Sequence, residues 1–367
     1  MDSIELRHLL HQTPEIAFHE YETQRILINA LKEMQCEKLT VYKIAETGVM
    51  AIYKNKPTGP FILYRADMDG LPIVEKTNWK FASKNGNMHA CGHDVHMAVE
   101  YELIKKIINS NIDENFVFVF QPAEETGGGA KYVLEELDEL PVKYAVALHV
   151  TDEYEFGTIA SRAGTLFASA TEIDITFVGK PAHIAFYSEG IDSLRMASEF
   201  LSVHYNKNFQ EDVLVGFGKI SGGDVRNIVA RETVIMGSIR SPSLNITEEV
   251  ISEISKIASQ ISKKYSGDFS ISRGSVYPQV VVDESLLNKL KSVCKRNNFH
   301  FVECNMKFTG EDFGYFSLKY PSLLFWAGVS KGERKGLHNP EFLPEDDVIK
   351  PLAELMYNFL KELMENE

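Results

Sequence analysis

Cys91 and His93 stand two residues apart in Met88-His89-Ala90-Cys91-Gly92-His93-Asp94-Val95-His96, immediately ahead of a helix-like run. A thiolate and an imidazole so placed are donors for a borderline divalent cation. A second cluster, Gln121-Pro122-Ala123-Glu124-Glu125-Thr126-Gly127-Gly128-Gly129, sets adjacent carboxylates behind the apolar run Phe116 to Phe120. His149 closes Tyr144-Ala145-Val146-Ala147-Leu148, and His338 lies in Gly336-Leu337-His338-Asn339-Pro340. A lone Cys is usually a small core residue, and a lone His at a strand end is usually a satisfied polar group. Cys91, His93, Glu125, His149 and His338 together, all in turns or at strand ends, point instead to metal-assisted hydrolysis. In an extended backbone the side chains of Glu124 and Glu125 diverge, so one carboxylate can bind metal while its neighbour takes a proton from water. The Gly127-Gly128-Gly129 turn would let backbone come close to a ligand.

These residues need a scaffold, and the pattern up to about Gly164 alternates helix and strand. Residues 15–35 read as an amphipathic helix and Phe61 to Arg65 as a buried strand. Asp94 is placed to cap a helix running through Lys106, and strands over 115–120 and 143–150 flank a helix near Gly129 to Leu137. Such alternation implies an α/β domain with Asp67, Glu124, Glu125 and His149 just beyond strand ends, the usual place for sites on open sheets. From about Ser169 the order becomes βαββαβ, read as an inserted α+β domain over 171–276. The α/β pattern resumes at 277, with helices near 284–297 and 346–365, so the catalytic domain is expected to be discontinuous, 1–170 and 277–367.

At 367 residues the chain has room for two domains. Its formal charge of -14 argues against nucleic acid and anionic membrane as partners. The N-terminus has no basic segment followed by an apolar core, and no apolar run nears the roughly 20 residues of a membrane span. Four scattered cysteines, Cys36, Cys91, Cys294 and Cys304, fit a reducing cytoplasm.

The motifs, taken in order, resemble those of the M20 family of metal-dependent peptidases and amidohydrolases, in the branch of hippurate and auxin-conjugate hydrolases. They are His11-Gln12-Thr13-Pro14-Glu15, Arg65-Ala66-Asp67-Met68-Asp69-Gly70-Leu71-Pro72, Met88 to His96, Phe120 to Ala130, Ala147-Leu148-His149, Gly157-Thr158-Ile159-Ala160, Thr309-Gly310-Glu311-Asp312-Phe313-Gly314-Tyr315 and Gly336-Leu337-His338. Within that branch they are most similar to the enzymes that deacetylate N-acetyldiaminopimelate. The resemblance implies two divalent metal ions (Zn, Co, Ni or Mn), ligands Cys91, His93, Glu125, His149 and His338 with Cys91 bridging, Glu124 as general base, and an active-site Asp67 that orients a ligand. It also implies that the inserted, ferredoxin-like domain serves as lid and dimer interface, making the chain a homodimer, and that His183, Asn227, Arg240 and Glu311 lie near substrate or oxyanion. One departure is Lys180-Pro181-Ala182-His183-Ile184-Ala185-Phe186-Tyr187-Ser188, where relatives commonly carry a second His after the one matched by His183. His89 and His96 read as local structure, His96 pointing away from His93.

The expected activity is hydrolysis of a small N-acyl amino acid, N-acetyl-LL-2,6-diaminopimelate, to LL-2,6-diaminopimelate and acetate in lysine biosynthesis. A general N-acyl amino acid hydrolase, a dipeptidase and a non-catalytic metal-binding dimer are the alternatives. The presence of Glu124 disfavours the last, since a binding protein needs no base beside a full ligand set.

Overall fold

Four runs of buried residues form the centre of the larger sheet. In the computed structural model, which describes residues 1–364 apart from 111, 127, 208, 210 and 211, the strands Phe61–Asp67, Asn115–Gln121 and Ser322–Ser330 are buried at every position. Strands so apolar suit a parallel sheet covered on both faces. Asn115–Gln121, Phe61–Asp67, Val142–Glu155 and Ser322–Ser330 are indeed successive parallel neighbours. The full order is Leu39–Ile44, Gly48–Tyr53, Asn115–Gln121, Phe61–Asp67, Val142–Glu155, Ser322–Ser330, Thr158–Ser161 and His300–Glu303. An antiparallel hairpin thus closes one edge.

The chain divides into two compact units. One comprises Met1–Leu166, Val280–Met306 and the chain from Glu311 onward, and the other Phe167–Gln279 with Lys307–Gly310. The segment Lys307–Gly310, expected with the catalytic domain, therefore packs in the second unit. In the first, helix His93–Ser110 packs on Ser3–Gln12 and Ile349–Met364. The expected helix over 15–35 is shorter, Tyr21–Lys32, because the carboxylate of Glu15 accepts from the N–H groups of Glu22 and Thr23 and marks its start. Asp94 is no cap. It is buried and accepts from Arg7 Nε at 3.0 Å and His11 Nδ1 at 2.8 Å, tying the N-terminal helix to the segment that carries His93.

The second unit has the βαββαβ order. Its antiparallel sheet runs Asp268–Tyr277, Ser169–Val178, Glu232–Ser241, Leu214–Gly222, and helices Ser193–Tyr205 and Leu244–Tyr265 pack on it. Alternate residues Ile173, Ile175 and Phe177 face Phe200 and Ile254 in one core, as period-two burial requires. No helix among the described residues is long and apolar enough to cross a membrane.

Candidate metal centre

Loops beyond the central strands, the start of helix His93–Ser110 and strand Val142–Glu155 bring five sequence-distant donors together. Cys91 Sγ lies 3.5 Å from His149 Nε2. His93 Nε2 lies 3.7 Å from Asp67 Oδ1 and 4.0 Å from Glu125 Oε1, and His338 Nε2 lies 3.2 Å from the same Glu125 oxygen. The sets Cys91, His93 and His149, then Cys91, Glu125 and His338, then His93, Glu124 and Glu125 each place one donor atom per residue within 4.8 Å of the others. Donors sharing one tetrahedral ion of zinc-like bond lengths stand roughly 3.3–3.7 Å apart, so this spacing fits a cation.

Backbone carbonyls fix which imidazole nitrogen faces the cluster. His93 Nδ1 donates to Asp69 O at 2.9 Å and His149 Nδ1 to Val150 O at 2.8 Å, leaving both Nε2 atoms as lone-pair donors. His93 Nε2 is buried and has no hydrogen-bond partner, the orphan expected of a ligand nitrogen. His338 sits on a loop at φ 63 and is half exposed. Its N–H donates to Ala90 O at 2.9 Å, while Asp152 Oδ2 accepts from the N–H groups of Lys335 and Gly336 at 2.6 and 2.8 Å.

The glutamate pair differs from the extended arrangement expected. Residues 124–126 form a turn, and Ala123 ahead of it is left-handed at φ 56, a conformation costing a non-glycine residue roughly 1–2 kcal/mol. Both carboxylates therefore come within 4.8 Å of a ring nitrogen of His93 instead of diverging. Ala123 N–H donates to Glu20 Oε1 at 2.9 Å, its carbonyl accepts from Gly129 at 3.0 Å, and Glu125 N–H donates to Asp69 Oδ2 at 3.0 Å. Gly129 must be glycine, since a Cβ there would fall 1.8 Å from Pro122 O. Gly127 lies outside the described residues.

Asp67 ends its strand, wholly buried, and accepts from Arg65 Nη1 at 2.7 Å and His96 Nδ1 at 2.5 Å. His96 Nε2 in turn accepts Val150 N–H at 2.9 Å. The expectation that His96 points away from His93 is thus overturned: their rings are 5.3 Å apart, because residues three apart share a helix face. His149 lies within its strand, which runs on to Glu155. His89 is buried with neither ring nitrogen hydrogen-bonded. Arg65, Asp69 and Asp312, not singled out from sequence, organise the surroundings. Arg65 donates to Gln121, Asp67 and Asp312 at 2.9, 2.7 and 2.8 Å and lies 3.2 Å from Glu311, which is buried beside it. The Arg65-x-Asp67 spacing was the available signal, since residues two apart on a strand share a face.

Six carboxyl groups, those of Asp67, Asp69, Glu124, Glu125, Glu311 and Asp312, share this region with one guanidinium. Burial and then the neighbouring acids push the Glu124 carboxyl well above its usual range, while burial, Glu125 and Glu124 push the Cys91 thiol up. So negative a pocket is suited to cations.

His183, Asn227 and Arg240 belong to the second unit. His183 is exposed, and its Nδ1 accepts Ala185 N–H at 3.1 Å, which makes Nε2 the proton-bearing nitrogen. Asn227 is exposed, its carbonyl accepting from Ile184. The guanidinium of Arg240 donates to Phe308 O at 3.0 Å, to Ile239 O and to the Ser238 hydroxyl.

Residues 63–362 match the model of peptidase family M20/M25/M40. An N-acetyldiaminopimelate deacetylase of Bacillus cytotoxicus is 37% identical over 98% of this chain and 97% of its own, and one of Anoxybacillus flavithermus is 36% identical over 97% and 96%. Among solved structures, a dinuclear metal-binding M20 peptidase of Bacillus subtilis superposes with a TM-score of 0.88 at 28% identity, covering all of this chain and 98% of that one. The ordered motifs, the α/β fold with its inserted unit and these matches agree that the chain belongs to peptidase family M20/M25/M40.

Proposed function

We propose that this metal-dependent amidohydrolase cleaves the acetyl amide of N-acetyl-LL-2,6-diaminopimelate, releasing acetate and LL-2,6-diaminopimelate for lysine biosynthesis. The observation that carries the substrate is 36–37% identity over nearly the whole chain to two enzymes named for that reaction. The chemistry is supported by a base candidate beside an acid-rich donor cluster.

Cys91, His93, Glu125, His149 and His338 are the residues that would hold two divalent ions. Asp67, anchored by Arg65, steadies His96, whose other nitrogen holds the Val150 N–H beside His149. When bound, such ions polarise an amide carbonyl and acidify water. The soft thiolate favours Zn, Co or Ni, and the remaining donors also admit Mn. Glu124 takes the proton of the attacking water; water oxygen adds to the carbonyl carbon, the C–N bond breaks, and Glu124 returns the proton to the leaving nitrogen. No side chain becomes acylated. His183 as oxyanion donor, and Asn227, Arg240 and Glu311 as substrate contacts, rest on the family resemblance. The scattered spacing of Cys36, Cys91, Cys294 and Cys304 supports a cytoplasmic setting.

The deciding experiment compares kcat/KM on N-acetyldiaminopimelate, hippurate and N-acetyl-methionine at matched loading with each of several metals. The expected order puts N-acetyldiaminopimelate first, and preference for hippurate would assign a general N-acyl amino acid hydrolase. We also propose a homodimer through the second unit, supported by the edge strand Leu214–Gly222, whose Leu214 and Ile220 are about half exposed. Light scattering should give twice the chain mass; a monomer at assay concentration refutes it.

A further inference from the structure

We propose that Glu20 is a positioning residue for the Glu124–Glu125 turn, holding Ala123 in the left-handed conformation from which both glutamates reach His93. This rests on the reading of Glu124 as base. The Ala123 N–H donates to Glu20 Oε1 at 2.9 Å across 103 positions of sequence, and Ala123 and Glu20 are both fully buried, so water cannot replace that bond. The second carboxylate oxygen accepts from Thr47 Oγ1 at 2.5 Å, which fixes its rotation. Thr47 precedes Gly48, where a Cβ would meet Pro122 Cδ at 2.8 Å, and Gln24 binds the Gly48 carbonyl at 3.0 Å. The edge hairpin and the start of helix Tyr21–Lys32 therefore close on the peptide that launches Glu124.

Reach, more than charge, is what this role requires. Burial pushes the Glu20 carboxyl up to about 7, so glutamine is a fair copy of its neutral form, and a glutamine oxygen can still accept the Ala123 N–H. Aspartate keeps the acid but withdraws it by one carbon. We infer that Glu20→Asp lowers kcat by about 10- to 100-fold, the effect of a roughly 1 Å misplacement, with KM and bound metal changed by less than about twofold. Glu20→Gln should retain kcat within about threefold.

The measurements are kcat and KM on an N-acetyl amino acid, and metal content by elemental analysis. Unchanged kcat in Glu20→Asp, an equal loss in both variants, or a loss that tracks metal content each overturns the inference. Should Glu20→Asp not fold, Thr47→Ala frees the carboxylate to rotate without shortening it; kcat is then expected to fall about three- to tenfold, and no change overturns the inference. Glu124→Gln in the same assay separates the two ideas. Full turnover there defeats the base assignment itself, whereas its loss alongside normal Glu20 variants defeats only the positioning role.

Discussion

Glu124→Gln is expected to lower kcat by about 10²–10⁴-fold while bound metal stays at the wild-type level. The amide keeps the shape of the acid and discards its basicity. Burial, and then Glu311, Glu125 and Asp312, hold the proton affinity of Glu124 above that of an ordinary carboxylate, the direction a base needs to draw a proton from water near neutral pH. Glu125 is drawn the other way: burial raises its carboxyl, but the hydrogen bond to His338 and the charge of His93 lower it further. Glu125→Gln should therefore lose metal first and activity as a consequence. Elemental analysis beside kcat distinguishes them: metal loss in Glu124→Gln but not in Glu125→Gln would exchange the two roles.

The second large effect is on stability. Arg65 is 1% exposed and meets Asp67, Asp312, Gln121 and Glu311. Removing one partner of a buried pair leaves an uncompensated charge, which costs about 3–5 kcal/mol. Arg65→Met in the metal-free protein should lower the urea unfolding free energy by at least about 3 kcal/mol. A change below about 1 kcal/mol would mean that the acids take up protons at little cost and that Arg65 is not their counter-charge.

Much of the site could be read from residue type, because metal donors are few and their motifs keep their order. Cys91, His93, Glu125, His149 and His338 needed no coordinates to be named together. What escaped was whatever depends on backbone direction. His96 was set aside although residues three apart on a helix share a face. The glutamates were expected to diverge because nothing in Pro122-Ala123-Glu124 announces a left-handed alanine, a state that a contact from position 20 helps to hold. Asp94 looked like a cap from its place before an apolar run, yet it is committed to Arg7 and His11, far away in sequence. For the fold, the βαββαβ insertion was legible from the period-two alternation of Glu172 to Val178 and the order of helix- and strand-like runs. The migration of Lys307–Gly310 into that unit was not, since four residues carry no periodicity.

The donors are dispersed along the chain, and that has a consequence for how the protein is made. Cys91, His93, Glu125 and His149 are synthesised before the whole of the second unit, while His338 and the Asp312 that engages Arg65 come after it. A nascent chain that has just finished the second unit therefore holds a central sheet without strand Ser322–Ser330 and an arginine without two of its acids, Glu311 and Asp312. Exposed strand edges of this kind invite pairing with other chains. Completion of the proposed ion site is thus a late event of biogenesis, coupled to arrival of the C-terminal segment.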